Sequence, residues 1–282
     1  MKIGIGLPNQ VRDVRPTVIP AWAARAEQAG FSTLGTVGRI AYPGVMDTVT
    51  LAVAAGATSS IGLISNVMLA TVWPAPLLAK EVAGIDGVSG GRLTVGIGIG
   101  FRPDDFVVDG FGPKGLGRRI DRDLETYRAM WTGQPVGGGD NPAVPADSRE
   151  VPMLFGGIAP ASFARMAKWG HGYIGGSVPP EAVTGYFEQA RSAWKDAGRS
   201  GEPRLVAIAY FALGDADTGR ANVHDYYSGT KFADPIAAGV SGTPDAVRAT
   251  VTGFADIGAD ELIFNPGTDD ITEIDRLADV VL

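Results

Sequence analysis

Residues 78–101, LAKEVAGIDGVSGGRLTVGIGIGF, hold one helix, one turn and one strand in direct succession. Pro76–Ser89 is an amphipathic run of helical length, Gly90 and Gly91 break it, and Leu93–Ile99 reads as a strand. Two catalytic strings inside this stretch fail on context. Gly87-Val88-Ser89-Gly90-Gly91 fits G-x-S-x-G, but a nucleophile elbow turns from strand into helix, whereas here a helix leads into a strand. Ser89 is therefore expected at the end of the sheet away from any chemistry. Gly96-Ile97-Gly98-Ile99-Gly100 is half of a dinucleotide fingerprint, without the third glycine at its spacing or a helix directly after it.

The same helix-and-strand unit repeats from end to end. Strand candidates are Lys2–Leu7, Thr33–Val37, Ile61–Val67, Leu93–Ile99, Met153–Phe155, Gly172–Gly175, Leu205–Leu213 and Glu261–Phe264. Helix candidates are Ile19–Ala29, Asp47–Thr58, Pro76–Ser89, Arg118–Trp131, Pro160–Trp169, Pro180–Ala197, Pro244–Ile257 and Ile271–Val281. Gly30 follows the first helix and Thr243-Pro244 opens the seventh, as helix ends require. Strands alternating with helices of this length imply parallel βαβ units, and eight of them close into a single-domain (β/α)8 TIM barrel over residues 1–282. The chain's 282 residues suit that fold, which takes about 250. Residues 133–150 read as a surface loop, and residues 222–241 as a second irregular, partly helical stretch that covers the barrel mouth.

Composition removes several classes of function. The formal net charge is −7 with no basic cluster, so nucleic acid finds no electrostatic footprint. The chain has no cysteine, which excludes disulfides, thiolate metal sites and a cysteine nucleophile. Its two histidines, His171 and His224, lack a ligand-spaced partner, so no metal is expected, and His224 reads as a surface residue. No apolar run reaches the roughly 18 residues of a membrane span, and a cytoplasmic protein is expected.

In a parallel barrel the working groups lie at the carboxyl ends of the strands. Glycine dominates those positions here. A glycine at a strand exit lets a flat ring or a phosphate approach the main chain, and a helix N-terminus beyond it offers N–H groups to an anion. Two junctions have this form, Phe155–Ser162 (FGGIAPAS) and Gly175–Glu181 (GGSVPPE). Each glycine alone is explained by a tight turn; two junctions of the same kind favour a phosphate. Asp104 and Asp105 read as solvated loop charges. With so few acid–base groups at the exits, a cofactor is expected to bring the reactivity.

Leu78–Asp86, then Ser89–Leu93 and Gly96–Phe101, together resemble the signature of the bacterial luciferase-like flavin-dependent oxidoreductases. Glu27–Phe31, Asp47-Thr48 and Gly117–Arg119 with Leu124 and Trp131 extend the likeness over most of the chain. The chain is also similar to short actinobacterial members that use the deazaflavin F-420, and its lysine-poor composition agrees with a GC-rich source. The resemblance implies F-420 or FMN lying across the mouth. It implies a cis peptide at Asn66-Val67 presenting convex backbone to one ring face, Ile99 and Gly100 at the ring edge, and Gly156, Gly157, Gly175, Gly176 and Ser177 around the phosphate. Relatives that carry a polar pair with histidine after the second strand differ from this chain, which has Gly38-Arg39 there. Arg39 is the candidate catalytic residue. It has two readings, one as a cation for an anionic substrate or cofactor, the other as a partner for a carboxylate on the rim; Arg102 has the same two.

The resulting expectation is hydride transfer or oxygen insertion on a small organic substrate, with a homodimer as the default assembly. Two alternatives stay open: a barrel lyase or isomerase acting on a phosphorylated substrate without a redox cofactor, and a non-catalytic flavin-binding relative. Trp73, Phe101 and Phe111 are mouth-lining aromatic candidates, and residues 222–241, with Tyr226, Tyr227 and Phe232, are the lid candidate.

Overall fold

Every expected strand forms, because each short β-branched run is buried on both faces, as parallel strands require. The computed structural model describes residues 1–282. In chain order the elements are β1 (Lys2–Gly6), α1 (Val18–Ala29), β2 (Thr33–Thr36), α2 (Asp47–Ala57), β3 (Gly62–Ser65), β4 (Met68–Leu69), α3 (Ala75–Val88), β5 (Leu93–Gly98), α4 (Leu116–Trp131) and β6 (Met153–Phe155). There follow α5 (Pro160–Trp169), β7 (Gly172–Gly175), α6 (Pro180–Asp196), β8 (Arg204–Phe211), α7 (Ala216–Tyr227), α8 (Ala233–Ala238), α9 (Pro244–Asp256), β9 (Glu261–Pro266) and α10 (Glu273–Val281).

All strand pairs are parallel, in the order β3-β2-β1-β9-β8-β7-β6-β5, and β3 pairs with β5 to close the ring. β3 and β4 are one stave interrupted at Asn66-Val67, since both pair with β5. The result is a closed eight-stave (β/α)8 barrel.

Ile64, Leu154, Ile174, Val206, Ile208 and Ile263 fill the lumen as one buried cluster. Each contributes about 1.5–3 kcal/mol by leaving water. Small residues alternate with these large ones. A Cβ added at Gly4 would come within 3.1 Å of Ile263 Cγ1, and one at Gly96 within 2.5 Å of Ile174 Cδ1. Large beside absent side chains is how a narrow lumen reaches crystal-like density.

The amino end is closed by polar residues. Arg204 pairs with the buried Glu261 at 2.5 Å, and Ser89 bonds to the Asp86 carbonyl in the turn before β5. Ser89 thus sits at the end opposite the strand exits, as the elbow argument requires.

The main departure from the sequence reading lies between β8 and α9. The helix α7 begins at Ala216, where the Asp215 side chain accepts from Thr218 N–H, and α8 follows. The run ADTGRANVHDYY has weak helix formers and little amphipathic pattern, so packing rather than propensity makes this helix. No helix is long and apolar enough to cross a membrane.

Candidate functional site at the strand exits

The peptide Asn66-Val67 is cis, as the resemblance implied. The Val67 side chain turns into the top of the lumen, and three strand-exit glycines make room for it. A Cβ at Gly98 would lie 2.5 Å from Val67 Cγ2, and one at Gly96 or Gly156 would lie 3.2 Å from Val67 Cγ1. These glycines are therefore required first by a neighbouring valine. Asn66 is buried against Gly35, and neither of its amide atoms has a partner. Asn265, at the exit of β9, repeats this against Gly6: it is fully enclosed and both amide atoms are unpaired. Gly6 and Gly35 are registered across β1 and β2, so the two amides are neighbours. In the sequence Asn265 is legible only as a residue at a strand end, and an amide after a β-branched run gives no reason to prefer it.

The exits of β5, β6 and β7 expose backbone. Gly100 has φ +70 and Gly157 has φ +105, conformations that favour glycine. Beside Gly100, Ile99 is exposed, as are Phe101, Val107, Val108 and Ile158. Gly176 borders open space, for a Cβ there would meet nothing within 4 Å. Gly175 differs: its missing side chain leaves room for Val183 and Phe187 of α6. Ser177 Oγ lies 3.5 Å from the Tyr227 hydroxyl, which lies 3.2 Å from that of Tyr210. The two expected phosphate junctions are unequal. The α6 start places Pro179, Pro180 and Glu181 together, which removes two N–H donors and adds a negative charge. The α5 start has one proline, Pro160, and no acidic residue.

At the exits of β2 and β5 the mouth is sealed. Arg39, with only 7% of its side chain exposed, bonds Asp104 at 2.6 Å and lies 3.5 Å from Asp105. Asp105 is buried and accepts from the Ile40 and Ala41 N–H groups at 2.9 and 3.0 Å. That corrects its reading as a solvated loop charge: backbone donors and a cation replace the water it loses. Asp104 remains exposed. Arg102 is buried too. It donates to the carbonyls of Tyr226 (3.0 Å) and Ser228 (2.9 Å), while Arg39 also donates to Tyr226 (3.3 Å). Burial, then the nearby Arg39, lowers the Arg102 pKa. Two guanidiniums thus hold the carboxyl end of α7, where a helix dipole favours cations.

This end of α7 spans the mouth. Tyr227 carries the Arg102 guanidinium 5.9 Å from its ring and reaches Tyr210 of β8 with its hydroxyl. The exits of β3 and β8 lie on opposite sides of the ring of staves, with β2 and β5 flanking β3. Tyr227 is the chord between the two sides. Phe232 meets Phe101 edge-on at 6.2 Å. The other two expected mouth aromatics are packed: Trp73 lies against the outer core and Phe111 under Arg119 at 4.4 Å.

Beside Gly38, a buried carboxyl stands without an ion pair. Asp47 opens α2, accepts from Thr48 N–H at 3.0 Å, and places Oδ2 2.6 Å from where a Gly38 Cβ would be. Burial lifts its pKa to about 6. Neither histidine reaches the mouth. His171 precedes β7 at the amino end, and His224 is half exposed beside Asp234 on the outer side of α7. No cluster of His, Asp and Glu is suited to a metal ion.

Comparison with known proteins bears on the family and the fold. The luciferase-like monooxygenase family model matches residues 1–248. An uncharacterized protein of Mycobacterium tuberculosis is 32% identical over 171 residues, 57% of this chain and 60% of that protein, so the match spans less than two thirds of the relative. Among solved structures, an F-420-dependent secondary alcohol dehydrogenase in complex with an F-420–acetone adduct superposes with TM-score 0.81 at 16% identity, over 100% of this chain and 98% of that one. The oxygenating constituent of 3,6-diketocamphane monooxygenase from Pseudomonas putida, in complex with FMN, gives TM-score 0.74 at 14% identity, over 99% and 96%. At such identities the two structures share the fold. With its family model matched over most of its length, the chain belongs to the luciferase-like monooxygenase family.

Proposed function

We propose that this chain is an oxidoreductase that binds F-420 or FMN at the exits of β5, β6 and β7 and acts on a small organic substrate. The carrying observation is the glycine backbone at Gly100 and Gly176, open to space at Gly176 and bounded by the exposed apolar side chains Ile99 and Ile158. A planar group fits such a rim: its faces meet main chain and aliphatic carbon, and no Cβ intrudes at Gly176. The two barrels of like fold that bind F-420 and FMN support the choice of cofactor.

In this reading Asn66 and Val67 form the backing surface, Ile99 and Gly100 the edge, and Gly156, Gly157, Gly176 and Ser177 the phosphate end. Gly175 stands behind them as a packing position. The bound cofactor supplies a hydride or electron carrier, which no side chain at the exits provides. The chain's residues orient and desolvate: Arg39 and Arg102 pin α7, and Tyr227 keeps bulk water from the mouth. Arg39, paired with Asp104 and Asp105, acts here as a positioning residue.

The test is titration of the pure protein with FMN and with F-420, read by fluorescence polarisation. One ring is expected to bind in the micromolar range. Gly176→Val is expected to keep its fold, since its Cβ enters open space, and to lose about tenfold or more in ring affinity. Indifference to both rings, or undiminished affinity in Gly176→Val, overturns the reading.

A further inference from the structure

Four tyrosine rings run in unbroken contact from the top of the lumen to the protein surface. Tyr210 lies two residues beyond the lumen residue Ile208 on β8 and so shares its face of the strand. Its ring meets that of Tyr227 at 6.0 Å, Tyr227 meets Tyr226 at 5.0 Å, and Tyr226 meets Tyr42 at 5.1 Å between centroids, each pair edge to face. Tyr210 and Tyr226 are buried, and Tyr42 is half-buried at the outer end. The Tyr227 hydroxyl stands 3.5 Å from Ser177 Oγ, next to the rim at Gly176.

Edge-to-face packing accounts for the contacts but not for the residue type, since phenylalanine packs as well and buries no hydroxyl. Four of the chain's seven tyrosines stand in this line, and what tyrosine adds is oxidation by loss of one electron and one proton together. The proton needs a base, and only the outermost ring has one. Tyr42 donates its hydroxyl to Asp225 Oδ2 at 2.7 Å, whereas Tyr227 meets only the hydroxyls of Ser177 and Tyr210. The Arg12 guanidinium bonds Asp225 at 2.7 Å and holds its carboxyl below the usual range, so it stands ionised and able to accept. Burial, then the bond to Asp225, raises the Tyr42 pKa, so the phenol keeps its proton until an electron has left. Guanidiniums also lie over the line. Arg12 and Arg39 are 5.6 and 5.5 Å from the Tyr42 ring, and Arg39 is 5.9 Å from that of Tyr226. They disfavour a positively charged ring, so the oxidised state comes to rest where the proton can leave, on Tyr42.

We propose that Tyr210, Tyr227, Tyr226 and Tyr42 form a one-electron path that draws oxidising equivalents from the mouth to the surface, with Asp225 as the proton acceptor at its outer end. Its use rests on the redox reading above, whereas the path is a property of the tyrosines alone. The oxidant it disarms is an oxygen-centred radical at the mouth. That radical gains one electron through the rings, Tyr42 becomes a neutral phenoxyl radical, and the phenolic proton passes to Asp225 Oδ2. A soluble thiol or ascorbate then returns a hydrogen atom to Tyr42 at the surface, and Asp225 releases its proton to water.

The chain has no cysteine, and a Cβ at Gly176 enters open space, so Gly176→Cys carries a single ruthenium–polypyridyl photo-oxidant at the mouth of the full chain. After flash-quench generation of ruthenium(III), electron paramagnetic resonance is expected to show a long-lived tyrosyl radical. Tyr42→Phe, added to the labelled chain, is expected to abolish that signal. Tyr226→Phe breaks the line but keeps its packing, and is expected to abolish it too, while Tyr186→Phe on α6, away from the line, leaves it unchanged. Asp225→Asn removes the base and is expected to slow radical formation about a hundredfold, and to remove the further slowing seen in heavy water. Circular dichroism checks the fold, and if Tyr42→Phe fails to fold, Tyr226→Phe decides. The proposal is overturned if no tyrosyl radical forms, if either line variant keeps the signal of the labelled parent, or if Asp225→Asn leaves the rate as it was. FMN and F-420 titrations of the unlabelled chain separate the two readings. Ring binding without a Tyr42 radical removes the path alone, whereas a Tyr42 radical without ring binding removes the redox reading and keeps the path.

Discussion

The two halves of the barrel mouth, divided by Tyr227, are built from opposite chemistry. On the side of β5, β6 and β7 the exits are glycines and exposed aliphatic carbon. On the side of β1, β2 and β9 they are buried amides, two of them unpaired, and the Asp47 carboxyl, closed over where Arg39 meets Asp105 and Arg102 from the loop beyond β5. The cations there have spent their charge on the protein, so they hold the chord in place and leave binding to the first half. A charged residue at a strand exit is therefore no sign of a ligand until its partners are known.

The largest expected effect attacks the assumption that glycines in the first half are free surface. Gly96→Val drives a side chain into the Ser65 carbonyl, Ile174 and Val67. Overpacking against main chain is expected to cost about 3 kcal/mol or more, read as a fall in urea midpoint, whereas Gly176→Val should leave that midpoint unchanged. Equal midpoints for the two variants would erase the distinction between lumen glycines and rim glycines.

The next effect sharpens the other half through pH. The Asp47 carboxyl titrates near 6 when folded and near 3.8 in its ordinary state, so the folded chain holds this proton more tightly. Its contribution to stability is full below about pH 4 and is lost as the pH rises through 6. Asp47→Asn is expected to gain on the order of 3 kcal/mol at about pH 7 and to flatten the slope between these values. Asp123, also raised to about 6 by burial, keeps its own share of that slope in the variant. A variant whose stability is unchanged at neutral pH and still falls as steeply would show that the folded chain holds Asp47 ionised at no cost.

The smallest effect is local. Arg102→Met keeps the aliphatic stem but drops the bonds to Tyr226 and Ser228, worth about 2 kcal/mol. Faster amide hydrogen exchange is expected at the carboxyl end of α7 and in α8, with the barrel strands unchanged. Uniform exchange across the chain would mean that the chord is not held as a separate unit.

The barrel itself was legible because its signal is repetitive: eight short apolar runs and eight helices, most of them bounded by glycine or proline, leave few other closures. Met153–Phe155 and Gly172–Gly175 lie in the structure where the sequence put them. The helix α7 was not legible. It is polar over most of its surface and owes its position to Arg39 and Arg102, which are far away in sequence. The site was half legible. A glycine at a strand exit can be read, but its direction cannot, so Gly175, Gly156 and Gly176 looked alike. Structure separates them as a position packed against α6, one packed against Val67, and one facing open space. Asp105 was misread for the same reason, since its partners Ile40 and Ala41 belong to a different loop.

The register of β1 with β9, from Lys2 beside Glu261 to Ile5 beside Phe264, carries a consequence for biosynthesis. The last stave completes the ring by joining the first, so a growing polypeptide cannot shut its cylinder before Glu261–Pro266 has been made. Until Glu261–Pro266 leaves the ribosome, β1 and β8 each keep a bare hydrogen-bonding edge, and nascent chains are then most open to pairing with one another.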